Sequence, residues 1–239
     1  LTDTDFDQDE NRRYGLSAID QMDNKHEGYS LVYSLDLTDR ITATTTAYYN
    51  EFTRDWFKLG GGGSIVSAAN TGDATAQGVL DGTVDATGLE YVHNNRSYES
   101  QGVELNFAVD MDAHQLELGG RVHEDEMDRF QPIEVYDQIN GSLVFQNVVQ
   151  PTGSNNRLEE AEALSLWITD DWQVTKALRL NLALRYEDVE TAREQFNDPA
   201  RTLLGSKRGN TTDAWLPGAS FTYDLNESWQ VLAGVHRGF

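Results

Sequence analysis

Between Ala177 and Asp188, leucine takes every second position: Leu178, Leu180, Leu182 and Leu184, with Tyr186 continuing the series. The positions between them are Arg179, Asn181, Ala183, Arg185 and Glu187. A period of two sends these sets to opposite faces of a β-strand, whereas a helix would scatter the leucines around its circumference. Such a strand has one apolar face and one charged face. The pattern recurs along the chain, and only one face of each strand needs a dry environment. That describes a wall between two media better than a two-layer core.

The same periodicity predicts about eight strands. The first covers 27–36, with Tyr29, Leu31, Tyr33 and Leu35 on one parity. The second runs from Ile41 to Trp56, through a threonine-rich stretch of high β propensity. The third spans 94–110, with Val103, Leu105, Phe107 and Val109 against Glu104, Asn106 and Ala108. The fourth, 115–126, sets Leu116, Leu118, Gly120 and Val122 against Glu117, Gly119, Arg121 and His123. The fifth covers 159–172, with Leu164, Leu166 and Ile168 on one parity, and the leucine strand is the sixth. The last two, 212–224 and 229–239, flank Leu225-Asn226-Glu227-Ser228. Segments 1–26, 58–91, 127–158 and 189–211 read as loops, rich in Asp, Gly or Pro.

Turns of about four residues thus alternate with loops of about 20 to 35, and long structureless loops are uncommon in compact soluble domains. Membrane β-barrels have this asymmetry, with short turns at one end and long loops at the other. The strands also exceed the ~9–11 residues that cross a bilayer. No segment approaches the roughly 20 apolar residues of a membrane helix. Trp172 and Trp229 lie beside short turns, where an aromatic girdle would sit. The short turns echo one another: Tyr33-Ser34-Leu35-Asp36-Leu37-Thr38-Asp39 resembles Phe221-Thr222-Tyr223-Asp224-Leu225-Asn226-Glu227.

A formal charge of −22, from 40 acidic against 18 basic residues, argues against a nucleic-acid partner. The absence of cysteine excludes a disulfide framework and thiolate metal sites. His123-Glu124-Asp125-Glu126, with Asp128 nearby, is dense in oxygen ligands. It lacks the His-Glu-x-x-His spacing of a zinc site and reads as a solvated acidic rim in preference to a calcium loop. The five histidines, His26, His93, His114, His123 and His236, have no ligand spacing. No Gly-x-Ser-x-Gly elbow appears, and Gly60 to Gly63 lacks the strand–turn–helix setting of a phosphate loop. The chain therefore offers no catalytic residues, no metal site and no cofactor.

Three segments carry a resemblance: Tyr48-Tyr49-Asn50-Glu51-Phe52-Thr53-Arg54-Asp55-Trp56-Phe57-Lys58-Leu59; Arg96-Ser97-Tyr98-Glu99-Ser100-Gln101-Gly102-Val103-Glu104; and Trp215-Leu216-Pro217-Gly218-Ala219 with Gly234-Val235-His236-Arg237-Gly238-Phe239. Together they resemble the barrel of TonB-dependent outer-membrane receptors, the ferric-citrate and siderophore subgroup in particular. The resemblance covers nearly the whole chain. It implies an antiparallel transmembrane β-barrel of about 22 strands around a plug, in the outer membrane of a Gram-negative bacterium. It implies uptake of a ferric chelate, energised by the TonB complex through an N-terminal box. Residues 1–239 then read as a partial barrel domain of about eight strands, with plug and TonB box outside the segment. Outer-membrane lipid is the implied surrounding.

Arg121, Arg179 and Arg185 fall on the polar parity, which faces the barrel interior if the leucines face lipid. Arg96 lies near the upper end of its strand. Guanidinium forks suit carboxylate and phosphate, so these four are the ligand-binding candidates. The bland alternative for each is an Arg–Glu ladder that holds the plug or a neighbouring strand. Ligand identity stays open among ferric citrate, other chelates, cobalamin and carbohydrate. The competing architecture is a secreted soluble β-sandwich that binds carbohydrate. It would need a second sheet against the leucine face.

Overall fold

The computed structural model describes residues 1–238. After a short helix α1 (Asp3–Gln8) and a 3₁₀ turn (Gly15–Ser17), the chain forms β1 (Gln21–Thr38) and β2 (Ile41–Leu59). Helices α2 (Gly62–Asn70) and α3 (Ala74–Leu80) and strand β3 (Ala86–His93) follow. Then come β4 (Arg96–Met111), β5 (His114–Phe130), β6 (Ile133–Ile139) and β7 (Ser142–Val149). The last four are β8 (Gly153–Gln173), β9 (Leu178–Phe196), β10 (Leu204–Asn226) and β11 (Trp229–His236).

All 11 strands belong to one antiparallel sheet. Eight of them form the wall, in the order β1-β2-β4-β5-β8-β9-β10-β11. These are the strands that alternation marked out. Each wall strand pairs with the next wall strand in the chain, as hairpins require. The wall stays open at its edges, β1 and β11, and β7 is the free edge of the branch beyond β3. No second sheet packs against the leucine face among the described residues, so the sandwich architecture is overturned.

The remaining three strands lie where the sequence reads as loop. Beyond its pairing with β4, the upper end of β2 turns to β3 through Phe57↔His93 and Leu59↔Tyr91. β3 pairs with β6, and β6 with β7. Segments 58–91 and 127–158 are therefore folded and bound to each other. The loop assigned to 189–211 is also mostly strand, with only 197–203 between β9 and β10. The expected loop 1–26 contains α1, the 3₁₀ turn and the start of β1. The reason is physical. Once the strands leave the apolar zone both faces are wet, alternation disappears, and hydrogen bonding continues without it.

The register makes each face a series of horizontal rows. On the leucine face one row reads Leu35–Ala43–Phe107–Leu118–Ile168–Leu184–Pro217. The row on its short-turn side reads Ile41–Val109–Leu116–Asp170–Leu182–Ala219–Val235. These side chains have no partner layer: Leu118 is 39% exposed, Ile168 46% and Leu184 39%. Aromatic residues bound the zone. Trp172 stacks on His114 at 5.0 Å near the short turns, and Tyr186 meets Trp215 at 4.9 Å on the other side. Tyr223 to Trp215 spans about 27 Å of strand at ~3.4 Å per residue. A strand tilt of ~35–45° reduces that to about 19–22 Å of height, approaching an apolar band about 25 Å tall.

Above this zone the same face turns acidic. Glu27, Glu51, Glu99, Glu126 and Glu160 stand directly opposite one another on successive strands. Glu124, Glu162 and Glu190 form the neighbouring row. Much of the net charge is therefore carried on a face that is wet at this height.

The one buried apolar cluster sits in the folded loops. Leu16, Val79, Leu80, Leu89 and Tyr91 form it, with Phe57, Ile65, Val66, Val84 and Tyr136 packed around them. Tyr91 is fully buried, and its hydroxyl donates to the Leu16 carbonyl at 2.6 Å. Gln138 is 1% exposed and donates to the carbonyls of Val79 and Val84 at 2.9 and 3.0 Å. This cluster binds both long connections and the N-terminal segment into a cap at the loop end of the wall.

Candidate functional site: an arginine ladder on the polar face

The polar face changes character along the strands. Near the short turns it carries ion pairs and hydrogen bonds between neighbours: Arg179 Nε meets Asp171 at 2.9 Å, and Asn106 donates to Glu117 at 2.7 Å. In the middle the residues become small. Gly102, His123 and Ala163 share one row, and Ser100, Asp125 and Ala161 the next. The ring of Tyr48 lies over Gly102, and its hydroxyl bonds His123 Nδ1. A side chain at Gly102 would displace that ring. Small residues leave an open groove of about 740 Å³, floored by Phe52, Tyr98, Met127 and Ala161 and edged by Arg193 and Arg208.

Two rows border this groove on the loop side. The lower reads His26–Phe52–Tyr98–Met127–Glu159–Arg193–Arg208, aromatic at one end and basic at the other. Phe52 stacks on Tyr98 at 6.0 Å, and His26 meets Phe52 edge-on at 6.2 Å. The upper row reads Asn24–Arg54–Arg96–Arg129–Arg157–Gln195. Four arginines thus stand directly opposite one another on four adjacent strands. Like charges in direct opposition destabilise a sheet.

Little within the chain offsets this charge. Among the described residues only Arg157 of the four has a carboxylate in reach, Glu159 at 3.1 Å. Arg129 donates from Nε to Gln131 and from a terminal nitrogen to Asn155 at 3.2 Å. Arg96 donates to the Tyr98 hydroxyl at 3.1 Å. The Nε atoms of Arg54 and Arg96 are buried with no acceptor among the described residues. A buried donor left unbonded costs about 1–3 kcal/mol, more when charged. The guanidiniums are held in place by neutral groups and keep hydrogen-bonding capacity.

Of the four arginines singled out from sequence, the structure brings only Arg96 into this row. Arg121 lies lower on the polar face, opposite Glu104 and Ser165. Arg185 bonds Glu187 through Nε and lies 5.4 Å from the Trp167 ring. Arg179 is tied to Asp171 near a short turn. Arg179 and Arg185 each meet a carboxylate, whereas Arg121 has none within ion-pair reach among the described residues and its Nε is buried without an acceptor. Arg54, Arg129, Arg157, Arg193 and Arg208 were not recognised from sequence. Each sits at the upper end of a strand on the polar parity, but the row exists only through cross-strand register. The acidic rim His123-Glu124-Asp125-Glu126 is split by alternation: His123 and Asp125 lie on the polar face, Glu124 and Glu126 on the other. No group of metal-ligating side chains converges among the described residues.

One open antiparallel sheet, an apolar zone without a protein partner, short turns at one end and folded loops at the other define a segment of an outer-membrane β-barrel wall. No helix of the described residues is long and apolar enough to cross a membrane. The family model described as "TonB dependent receptor-like, beta-barrel" matches residues 2–239, and the chain belongs to this family of outer-membrane receptors.

Solved structures agree on the fold. The unliganded ferric citrate transporter FecA matches with a TM-score of 0.63 at 16% identity, over 99% of this chain and 30% of that one. The siderophore receptor PiuA from Acinetobacter baumannii matches at 0.64 and 16% identity, over 90% of this chain and 32% of that one. The ferric yersiniabactin uptake receptor FyuA from Yersinia pestis matches at 0.60 and 12% identity, over 90% and 28%. The chain spans about a third of the length of these structures. No curated protein matches it.

Proposed function

We propose that this segment is part of the barrel of an outer-membrane transporter that takes up a ferric chelate at the expense of inner-membrane energy. The observation that carries the reading is the pairing of faces. One face is apolar over a bilayer-high zone, and the other bears a groove bordered by arginines. A charge on the first face would cost about 2–4 kcal/mol at mid-bilayer, so it faces lipid and the arginine face lines the lumen. The cap stands on the extracellular side, with the groove beneath it.

The segment supplies the wall and not the energy coupling. A plug and a TonB box elsewhere in the receptor take those roles, and the TonB complex is the partner that drives release inward. The membership is in a receptor family, and the wall is read as a binding and conducting surface without chemistry of its own.

The test is iron-limited growth of a Gram-negative strain that lacks its own receptors and expresses the complete receptor. Growth on a ferric chelate that stops when TonB is deleted, while chelate binding to cells persists, is the expected result. Growth that is independent of TonB contradicts the reading.

A further inference from the structure

The arginine ladder narrows the class of ligand, and this step rests on the reading just given. Six of the chain's arginines gather on the polar face at one level: Arg54, Arg96, Arg129 and Arg157 in one row and Arg193 and Arg208 in the next, while Arg201, in the turn above, folds onto the opposite face. They do so in a chain with 40 acidic and only 18 basic residues. Arg201 is neutralised by Asp128 at 2.9 Å and braced by Asn156 at 2.7 Å. Arg157 shares Glu159. Arg54, Arg96, Arg129, Arg193 and Arg208 have no carboxylate within ion-pair reach among the described residues.

The acidic residues at this height are mostly turned away. Glu51, Glu99, Glu126 and Glu160 belong to the opposite face by strict alternation. At this height most acids lie on the outward parity and most arginines on the inward one, with Asp125 and Glu159 inward and Lys207 outward as exceptions. Successive arginine backbone positions stand one strand apart, about 4.8 Å. An array of forks at that spacing suits a ligand with several carboxylates, each met in bidentate fashion. Beneath the arginines, the Phe52–Tyr98 stack gives an apolar floor for the ligand's carbon skeleton.

We propose that the ladder is the binding surface for a polyanionic chelate of the carboxylate class, and that it disfavours neutral hydroxamate chelates of similar size. A neutral ligand would leave these guanidiniums opposite one another with only Glu159 and Asp125 on the same face to offset them. A polycarboxylate supplies the missing acceptors and screens the repulsion.

The probes are ferric citrate, a polyanion, and a neutral ferric trihydroxamate, titrated against the complete receptor in detergent by tryptophan fluorescence. Ferric citrate is expected to bind, and to weaken steeply as salt rises from about 50 to about 500 mM. The double variant Arg96→Gln/Arg129→Gln is expected to bind it about tenfold more weakly or worse, as loss of charge-assisted bonds implies. Arg54→Gln alone is expected to weaken it as well, and serves if the double variant fails to insert. Arg40→Gln, in a short turn far from the groove, is the control and is expected to bind normally. Unchanged affinity in the ladder variants overturns the inference. So does tight, salt-independent binding of the neutral hydroxamate that the variants leave intact, although the receptor reading then stands. If neither chelate binds, the ladder proposal falls, and the receptor reading is decided separately by whether any ferric chelate supports TonB-dependent growth.

Discussion

At the scale of single residues, the cap depends on a few buried polar groups with complete hydrogen bonding. Gln138 Nε2 serves one carbonyl in the last turn of helix α3, Val79, and one beyond it, Val84, so it fixes that turn against β6. Gln138→Ala removes both donors, leaving the Val84 carbonyl without that partner and the Val79 carbonyl with the Gly82 N–H. The expected cost is about 1–3 kcal/mol, confined to the cap. Hydrogen exchange in the complete receptor should quicken over 74–86 and 133–139 and stay unchanged in β8 and β9. Asp5 is the matching clasp at the N-terminus. It accepts from the Tyr14 hydroxyl at 2.7 Å and from Thr2, and pairs with Arg12 at 2.8 Å. The Tyr14 hydrogen bond above all holds its carboxyl below the usual range; burial works against this, and Thr2, Gln77 and Arg12 add to the lowering. A carboxyl depressed in the folded state stabilises above its unfolded pKa, and that contribution is lost as pH falls through the folded one. The N-terminal segment is therefore expected to loosen from α3 below about pH 4. Asp5→Asn should reproduce much of that loosening at neutral pH, read as faster proteolysis within 1–20.

At the scale of elements, the wall strands were legible because one face of each must be apolar across the bilayer zone. Leu178 to Leu184 show this most openly, and Val103 to Val109 and Leu116 to Val122 repeat it. The signal stops where water reaches both faces. That is why the upper halves of β8, β9 and β10 read as loop although they continue the same ladders. The β6–β7 hairpin was a different omission. Asn140 and Gly141 have φ of 48° and 74°, the left-handed pair of a tight primed turn, and Asn-Gly between alternating apolar residues signals such a hairpin. Pro132, Pro151 and Gly153 masked it by marking the whole segment as a loop. The arginine row was out of reach for another reason. Arg54, Arg96, Arg129 and Arg157 lie far apart in sequence, and only the register of three hairpins aligns them. One substitution pair tests the wall strands directly. Leu182→Arg is expected to destabilise the complete receptor by about 2–4 kcal/mol in urea titration from bilayers. Asn181→Arg, one residue away on the other face, should stay within about 0.5 kcal/mol. Equal costs would contradict the assignment of faces.

At the scale of the whole molecule, stability is divided between two solvents. Among the described residues the leucine face of the wall has no protein layer against it, and on the proposed reading lipid takes that role. The cap has a small core of the ordinary kind, built around Tyr91. The wall leaves two strand edges unpaired, β1 and β11, and unpaired edges invite aggregation. Everything proposed about the lumen follows from which face meets lipid, so that assignment is the central claim. It is tested by placing single cysteine spin labels in turn at Leu180, Asn181, Leu182 and Ala183 of the complete receptor in bilayers. The segment contains no cysteine of its own. Collision with oxygen, which concentrates in lipid, should be high at 180 and 182 and low at 181 and 183. High oxygen collision at 181 and 183 with low values at 180 and 182, or no alternation at all, would contradict the account.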